Sequence, residues 1–300
     1  MGQVLGLMFI LIGLGFFLRV LGVFPPETAP LLNRFVLYVT FPCLVFRSLQ
    51  GAELDRRLWG IPPLAYMAIS LLFLFSFFLG TRLFRLSPRR AASFAMGAAF
   101  GNTAFLGYPF ILALLGEKGL PPAIFYDQLG NFLSAYTVGV PFCVFGKTGR
   151  FSSRNVVEFL KLPPFSAFLL ALALNRLPLP PLLSSVINRL ADATIPLTMV
   201  AIGLSLSPKN LFKEATLLGS AALLKLFLLP LGAYALTRCV PLPPLFAKVL
   251  VLQSATPTLV SSYVFASVYE LDTELSSSII CATTLFSLVT LPLWNLLLHP

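Results

Sequence analysis

Apolar runs of about twenty residues follow one another along almost the whole of this chain, separated only by short connections. About twenty apolar residues, wound as a helix, span the hydrocarbon core of a bilayer. Within that core each backbone polar group must find its partner inside the protein, which limits what the chain can fold into. Composition agrees: 57% of the 300 residues are hydrophobic and 11% are charged, and mean hydropathy is +0.90. Soluble domains carry about 25% charged residues. The chain reads as an all-α membrane protein of many spans.

Ten spans are expected, at about Val4–Leu21, Leu31–Leu49, Leu58–Phe84, Ala91–Leu115, Ala123–Phe145, Glu158–Leu174, Leu182–Leu206, Leu211–Thr237, Phe246–Tyr269 and Leu275–Leu298. The first stretch, MGQVLGLMFILIGLGFFLR, has no positive region before its apolar run and no cleavage-site pattern. It is expected to be a retained span rather than a signal peptide. The longest polar connection is Gly146–Asn155, in the middle of the chain.

The net charge of +10 does not point to nucleic acid, because Lys and Arg collect in the short connections, as a positive-inside bias requires. With the N-terminus outside, inward loops hold Arg82, Arg85, Arg89, Arg90, Lys147, Arg150, Arg154, Lys209 and Lys213. Outward loops then hold Arg56, Arg57, Lys118, Arg176 and little else. Both termini are expected outside the cell (inner) membrane. Cys43, Cys143, Cys239 and Cys281 stand singly, without CxxC spacing, and read as small apolar residues rather than disulfides or metal ligands.

The halves of the chain echo each other. Pro25-Pro26 recurs as Pro180-Pro181 and Asn33-Arg34 as Asn188-Arg189, both displaced by 155; Pro42 recurs as Pro196, displaced by 154. Thr81-Arg82 recurs as Thr237-Arg238 and Pro88 as Pro244, both displaced by 156. Five spans per half make two inverted five-helix repeats, because an odd count turns the second half upside down. The expected division is 1–145 for the first repeat, 146–157 for a cytoplasmic linker and 158–300 for the second repeat.

The fourth span carries FGNTAFLGYPF, Phe100–Phe110, with an asparagine, a threonine, glycines and a proline at mid-membrane. Its counterpart one repeat later is LQSATPTLVSSYVF, Leu252–Phe265. Proline removes a donor and opens the preceding turn, so Pro109 and Pro257 are expected to interrupt both helices. Interrupted helices at matching positions in two halves mark the binding site of a transporter. The rival explanation for either span alone is packing: Gly97 and Gly101 form a GxxxG that lets helices approach closely.

These motifs carry a family resemblance. Asn102-Thr103 followed by Gly107-Tyr108-Pro109, Gln253-Ser254-Ala255-Thr256-Pro257 followed by Val264-Phe265-Ala266, and Thr290-Leu291-Pro292 resemble the auxin efflux carrier family. Phe41-Pro42 in the second span and Ile195-Pro196 with Gly203 in the seventh extend the likeness along the chain. That family includes plant auxin exporters and bacterial organic-anion permeases. The resemblance implies a fold shared with bile-acid sodium symporters, in which helices 4 and 9 cross at their breaks. It also implies a scaffold domain of spans 1, 2, 6 and 7 and a moving transport domain of spans 3–5 and 8–10. This chain lacks the long hydrophilic insertion of the plant exporters.

The substrate-binding residues expected at the paired breaks are Asn102, Thr103, Gly107, Pro109, Gln253, Ser254, Thr256, Pro257 and Thr258; on the resemblance, Asn102 matches the family's fourth-span asparagine at the crossing. The half-helices beyond Pro109 and Pro257 would point their N-terminal ends at the site. Helix N-termini attract anions, so a small organic anion, with carboxylates foremost, is the expected substrate. Intramembrane charges are functional hypotheses by default. Asp127 with Asn131, one turn apart, and Asp192 are candidates for ion or proton coupling, and Lys225 lies in the eighth span. A structural Asp–Lys or Asp–Arg pair is the plain alternative.

No enzyme is expected. Gly146-Lys147-Thr148 lacks the earlier glycine of a phosphate loop, where Pro141 stands. The single histidine, His299, offers no catalytic base or ligand set. The expected function is secondary active transport of small organic anions by alternating access, with no cofactor and with H+, alternatively Na+, as coupling ion. The runner-up is a sodium-coupled symporter of the bile-acid class. A non-transporting receptor is the rival from another class. The expected partners are the substrate anion and the lipid bilayer, with a homodimer left open as the oligomeric state.

Overall fold

The structure, a computed structural model, describes residues 2–25, 27–151, 160–206 and 214–298, with side chains from residue 6 onward. Pro26, Glu158, His299, the loop charges Arg154, Lys209 and Lys213, and residues 152–157 of the expected linker lie outside the described residues.

The described residues form helices and no strand. In chain order these are α1 (Gly2–Val20), α2 (Thr28–Leu49), α3 (Arg56–Arg82), α4 (Pro88–Ala99), α5 (Thr103–Leu115) and α6 (Glu117–Thr148). They continue as α7 (Pro163–Ala173), α8 (Pro181–Ser205), α9 (Ala215–Cys239), α10 (Pro244–Ser254), α11 (Ser261–Val268) and α12 (Thr273–Leu297). Among them α2, α3, α6, α8, α9 and α12 are long and apolar enough to cross a membrane; α5, α7, α10 and Gly6–Val20 of α1 are shorter apolar helices. The chain is a multi-pass membrane protein. Leu7, Ile10, Leu71, Phe78, Phe286 and Val289 stand exposed on the helix surfaces, the side-chain type a bilayer covers.

The chain divides into two compact units. The first holds Met1–Asp55, Tyr108–Ile124 and Leu160–Leu206. Here α1 and α8 press backbone to backbone: a Cβ on Gly15 would strike the Val200 carbonyl, and one on Gly203 the Ile12 carbonyl. In lipid no hydrophobic effect drives helices together, and small residues are what allow such approach. Arg19 adds a hydrogen bond from its guanidinium to the Leu204 carbonyl at 2.8 Å. Asn175, beyond α7, donates to the Leu49 and Ala52 carbonyls after α2.

The second unit holds Arg56–Gly107, Phe125–Phe159 and Ser207–Pro300. Its centre is α4, in which Ala91–Ala99 is buried throughout. The run AASFAMGAA has little bulk to keep α3, α6 and α12 away, and all three pack on it. Ser87 accepts from the Arg90 amide and Pro88 occupies the first turn, a favourable way to start a helix. Arg90 then pairs with Glu214 and with Asp272, the latter at 2.9 Å. Lys147 pairs with Glu270 at 3.0 Å; this hydrogen bond, helped by the lysine's charge, holds the exposed Glu270 carboxyl below its ordinary value.

Candidate functional site

At Ala99 helix α4 stops, and α5 begins at Thr103. At Ser254 helix α10 stops, and α11 begins at Ser261. Between these ends the two exposed stretches of backbone run past each other as a short antiparallel pair centred on Gly101 and Thr258. The Asn102 amide donates to the Pro257 carbonyl at 2.6 Å, and the Leu259 amide donates to the Phe100 carbonyl at 2.9 Å. Buried backbone groups outside a helix need partners inside the protein. Each of these two segments finds them on the other.

The free edge of the 100–102 segment is taken by a side chain. Asn131 accepts from the Gly101 amide at 3.0 Å and donates to the Gly101 carbonyl at 2.9 Å. Its amide thus copies the donor–acceptor pair of a neighbouring strand. Asn131 also donates to the Thr103 hydroxyl at 3.0 Å, and that hydroxyl donates to the Asp127 carboxylate. Gln128 donates to the other Asp127 oxygen at 2.8 Å. Asp127, Gln128 and Asn131 lie in a π-helical stretch of α6, Tyr126–Phe132. Similar stretches begin α5 at Thr103–Gly107 and hold Lys225 in α9 at Leu224–Leu228. A π-turn shifts the phase of a helix, and such turns gather at functional sites.

The 255–259 segment is held likewise. Thr258 donates through its hydroxyl to the Gly97 carbonyl at 2.6 Å, and its amide donates to Thr283 on α12 at 3.1 Å. The Thr256 hydroxyl donates to the Gln253 carbonyl at 2.7 Å. The Ser254 hydroxyl donates to the Leu250 carbonyl and pairs with the Tyr126 hydroxyl at 2.9 Å. Lys225, wholly buried, donates from Nζ to the Ser254 carbonyl at 2.6 Å.

Two side chains at the crossing stand apart. Asn102 and Gln253 are 1% and 0% exposed, and neither the nitrogen nor the oxygen of either amide has a hydrogen-bond partner. Leaving a buried polar group unsatisfied costs about 1–3 kcal/mol. Gly107 admits the Gln253 amide, because a Cβ there would strike its oxygen. Gly101 admits the Thr256 hydroxyl, which would lie 2.6 Å from a Cβ.

Of the residues expected from sequence, Asn102, Thr103, Gly107, Gln253, Ser254, Thr256, Pro257 and Thr258 meet at this crossing in the second unit, with Asp127 and Asn131 beside them. Pro109 belongs to the first unit, buried inside α5 rather than at its start. Helix α5 therefore starts at Thr103, six residues before the proline expected to open it. Asp192 also belongs to the first unit, where it pairs with Arg47 at 2.6 Å and its side chain is 71% exposed. Lys225 and Tyr126 are the members whose place at the crossing the spacing of residues does not reveal.

The sequence comparisons supply the class of protein in which this crossing lies. The profile of the membrane transport protein family matches residues 1–295, and the chain belongs to that family, which comprises the auxin efflux carriers. It is 30% identical over 303 residues to an uncharacterized transporter of Methanocaldococcus jannaschii, covering 96% of each chain. It is 33% identical over 298 residues to an uncharacterized transporter of Methanothermobacter thermautotrophicus, covering 96% of this chain and 95% of the other. It is 26% identical over 309 residues to a Rhizobium meliloti protein named "Putative malonate transporter", covering 97% and 94%. These relatives are transporters, not enzymes.

Proposed function

We propose that this chain is a secondary active transporter of small organic anions, carboxylates foremost, working by alternating access at the crossing of the 100–102 and 257–259 segments. The observation that carries this is the pair of buried, unpartnered amides, Asn102 and Gln253, at the crossing. Each offers two N–H donors and a carbonyl acceptor, which suits a carboxylate's oxygens. The helix starts at Thr103 and Ser261 add the partial positive charge of helix N-termini. The name of the R. meliloti relative, "Putative malonate transporter", falls in the same substrate class.

In this reading α4 with α5, and α10 with α11, are the interrupted fourth and ninth of ten spans in two inverted repeats. In support, the paired residues Asn102 and Pro257 are 155 apart, the displacement of the sequence echoes. Antiparallel pairing is itself two-fold symmetric, as an inverted repeat demands. The first unit serves as scaffold and the second as the transport domain, with both termini outside the cell membrane. Asp127 is the coupling group, taking a proton; the side chains of Asn131 and Asp192 are committed to Gly101 and Arg47.

Uptake by proteoliposomes tests the proposal. Mono- and dicarboxylates are expected to be taken up under a pH gradient, and Asn102→Ala to abolish uptake without loss of folded protein. Near-normal uptake by Asn102→Ala would remove it from the site.

A further inference from the structure

The last turn of a helix leaves carbonyl groups with no intrahelical donor, and together they carry about half a negative charge. Where a transporter interrupts a helix at mid-membrane, such carbonyls are the usual ligands of a coupling sodium ion. At the end of α10 one of them is already engaged. The Ser254 carbonyl accepts from the Lys225 ammonium at 2.6 Å.

Lys225 reaches this point from α9, a third element, and its side chain is 0% exposed. The ammonium also stands beside the other interruption: it lies 3.3 Å from where a Cβ on Gly101 would sit. The ammonium therefore bonds one half of the crossing and ends beside the other. The ion pairs Arg90–Glu214, Arg90–Asp272 and Lys147–Glu270 of this unit engage other side chains. A buried ammonium held by a neutral carbonyl is costly to maintain. The amides of Asn102 and Gln253, unpartnered and buried at the same crossing, are neutral, and the buried carboxylate beside them, Asp127, is engaged by Thr103 and Gln128.

We infer that Lys225 is the resident cation of the transport site: its ammonium holds the carbonyl end of α10 that a sodium ion would need, and the substrate anion binds as its counter-charge. The inference rests on the function proposed above and narrows it. Lys225 supplies charge, Asn102 and Gln253 supply orientation, and the site binds its carboxylate without sodium.

Thermal unfolding of the purified full chain tests this with sodium, potassium and choline chlorides at one ionic strength, each with and without malonate. Wild type is expected to unfold at the same temperature in all three salts, and malonate to stabilise it equally in potassium and in sodium. Lys225→Met is expected to weaken malonate binding about tenfold or more, since the lost contact is charge-assisted. Sodium-specific stabilisation of the wild type would overturn the inference, as would malonate binding that needs sodium or is unchanged in Lys225→Met. The sodium comparison requires neither a variant nor a ligand. Failure of every carboxylate to bind would count against the proposed function, while the salt comparison would still decide the role of the lysine.

Discussion

Two asparagines at the crossing do opposite work. Asn131 uses both ends of its amide to hold the Gly101 backbone, whereas Asn102 has neither end engaged. Their substitutions should therefore separate folding from binding. Asn131→Ala strands a buried N–H and a buried C=O, and is expected to destabilise the protein by roughly 2–4 kcal/mol, read as a lower unfolding temperature. Asn102→Ala removes no hydrogen bond and is expected to leave that temperature near wild type while binding is lost. The sequence shows both residues, and the i, i+4 spacing puts Asn131 beside Asp127, but spacing along one helix cannot say which backbone an amide will meet. Lys225 is a stronger case, since its partner lies on α10 and its ammonium ends beside Gly101. Asp127, joined to Thr103 and Gln128, is the proposed proton site. Asp127→Asn is expected to flatten the pH profile of uptake; an unchanged profile would make the residue structural.

Among the elements, the non-helical segments are legible and their edges are not. Glycine, proline and small polar residues mark 100–110 and 252–262 as poor helix in the sequence. Yet α5 resumes at Thr103 and carries Pro109 within it. The reason is tertiary: pairing with Pro257 and Leu259 draws only Phe100–Asn102 out of the helix, and the π-turn at Thr103–Gly107 takes up the shift in phase. Proline's preferences act on its own turn, while backbone pairing is set by a segment half a chain away. The close approach of these elements makes a further prediction. Gly107→Ala drives a methyl into the Gln253 amide and is expected to cost about 1–3 kcal/mol through overpacking. Adding Gln253→Ala should recover much of that stability, measured by thermal unfolding, without restoring transport. No recovery would mean that the collision lies elsewhere.

At the scale of the molecule, composition and the length of the apolar runs were enough to define a multi-pass helical membrane protein, because a bilayer leaves a chain few alternatives. The motifs placed it in its transport family, and the profile match over residues 1–295 agrees. The proposed orientation rests on loop charges alone, and its test is direct. Single cysteines in the loops bearing Arg57 and Lys118 are expected to react with an impermeant reagent from outside the cell, and one beside Arg85 from inside. The reverse pattern would place both termini in the cytoplasm.

The central claim is that the crossing is the carboxylate site. Calorimetric titration of malonate and related carboxylates into wild type and the Asn102→Ala, Gln253→Ala double variant tests it most directly. Each lost hydrogen bond to a charged ligand is worth about 1.5–3 kcal/mol, so the double variant is expected to bind at least about a hundredfold more weakly. Its unfolding temperature in the absence of ligand should stay at or above that of wild type, since no protein hydrogen bond is removed from either amide. Undiminished binding by a folded double variant would contradict the claim and place the substrate elsewhere.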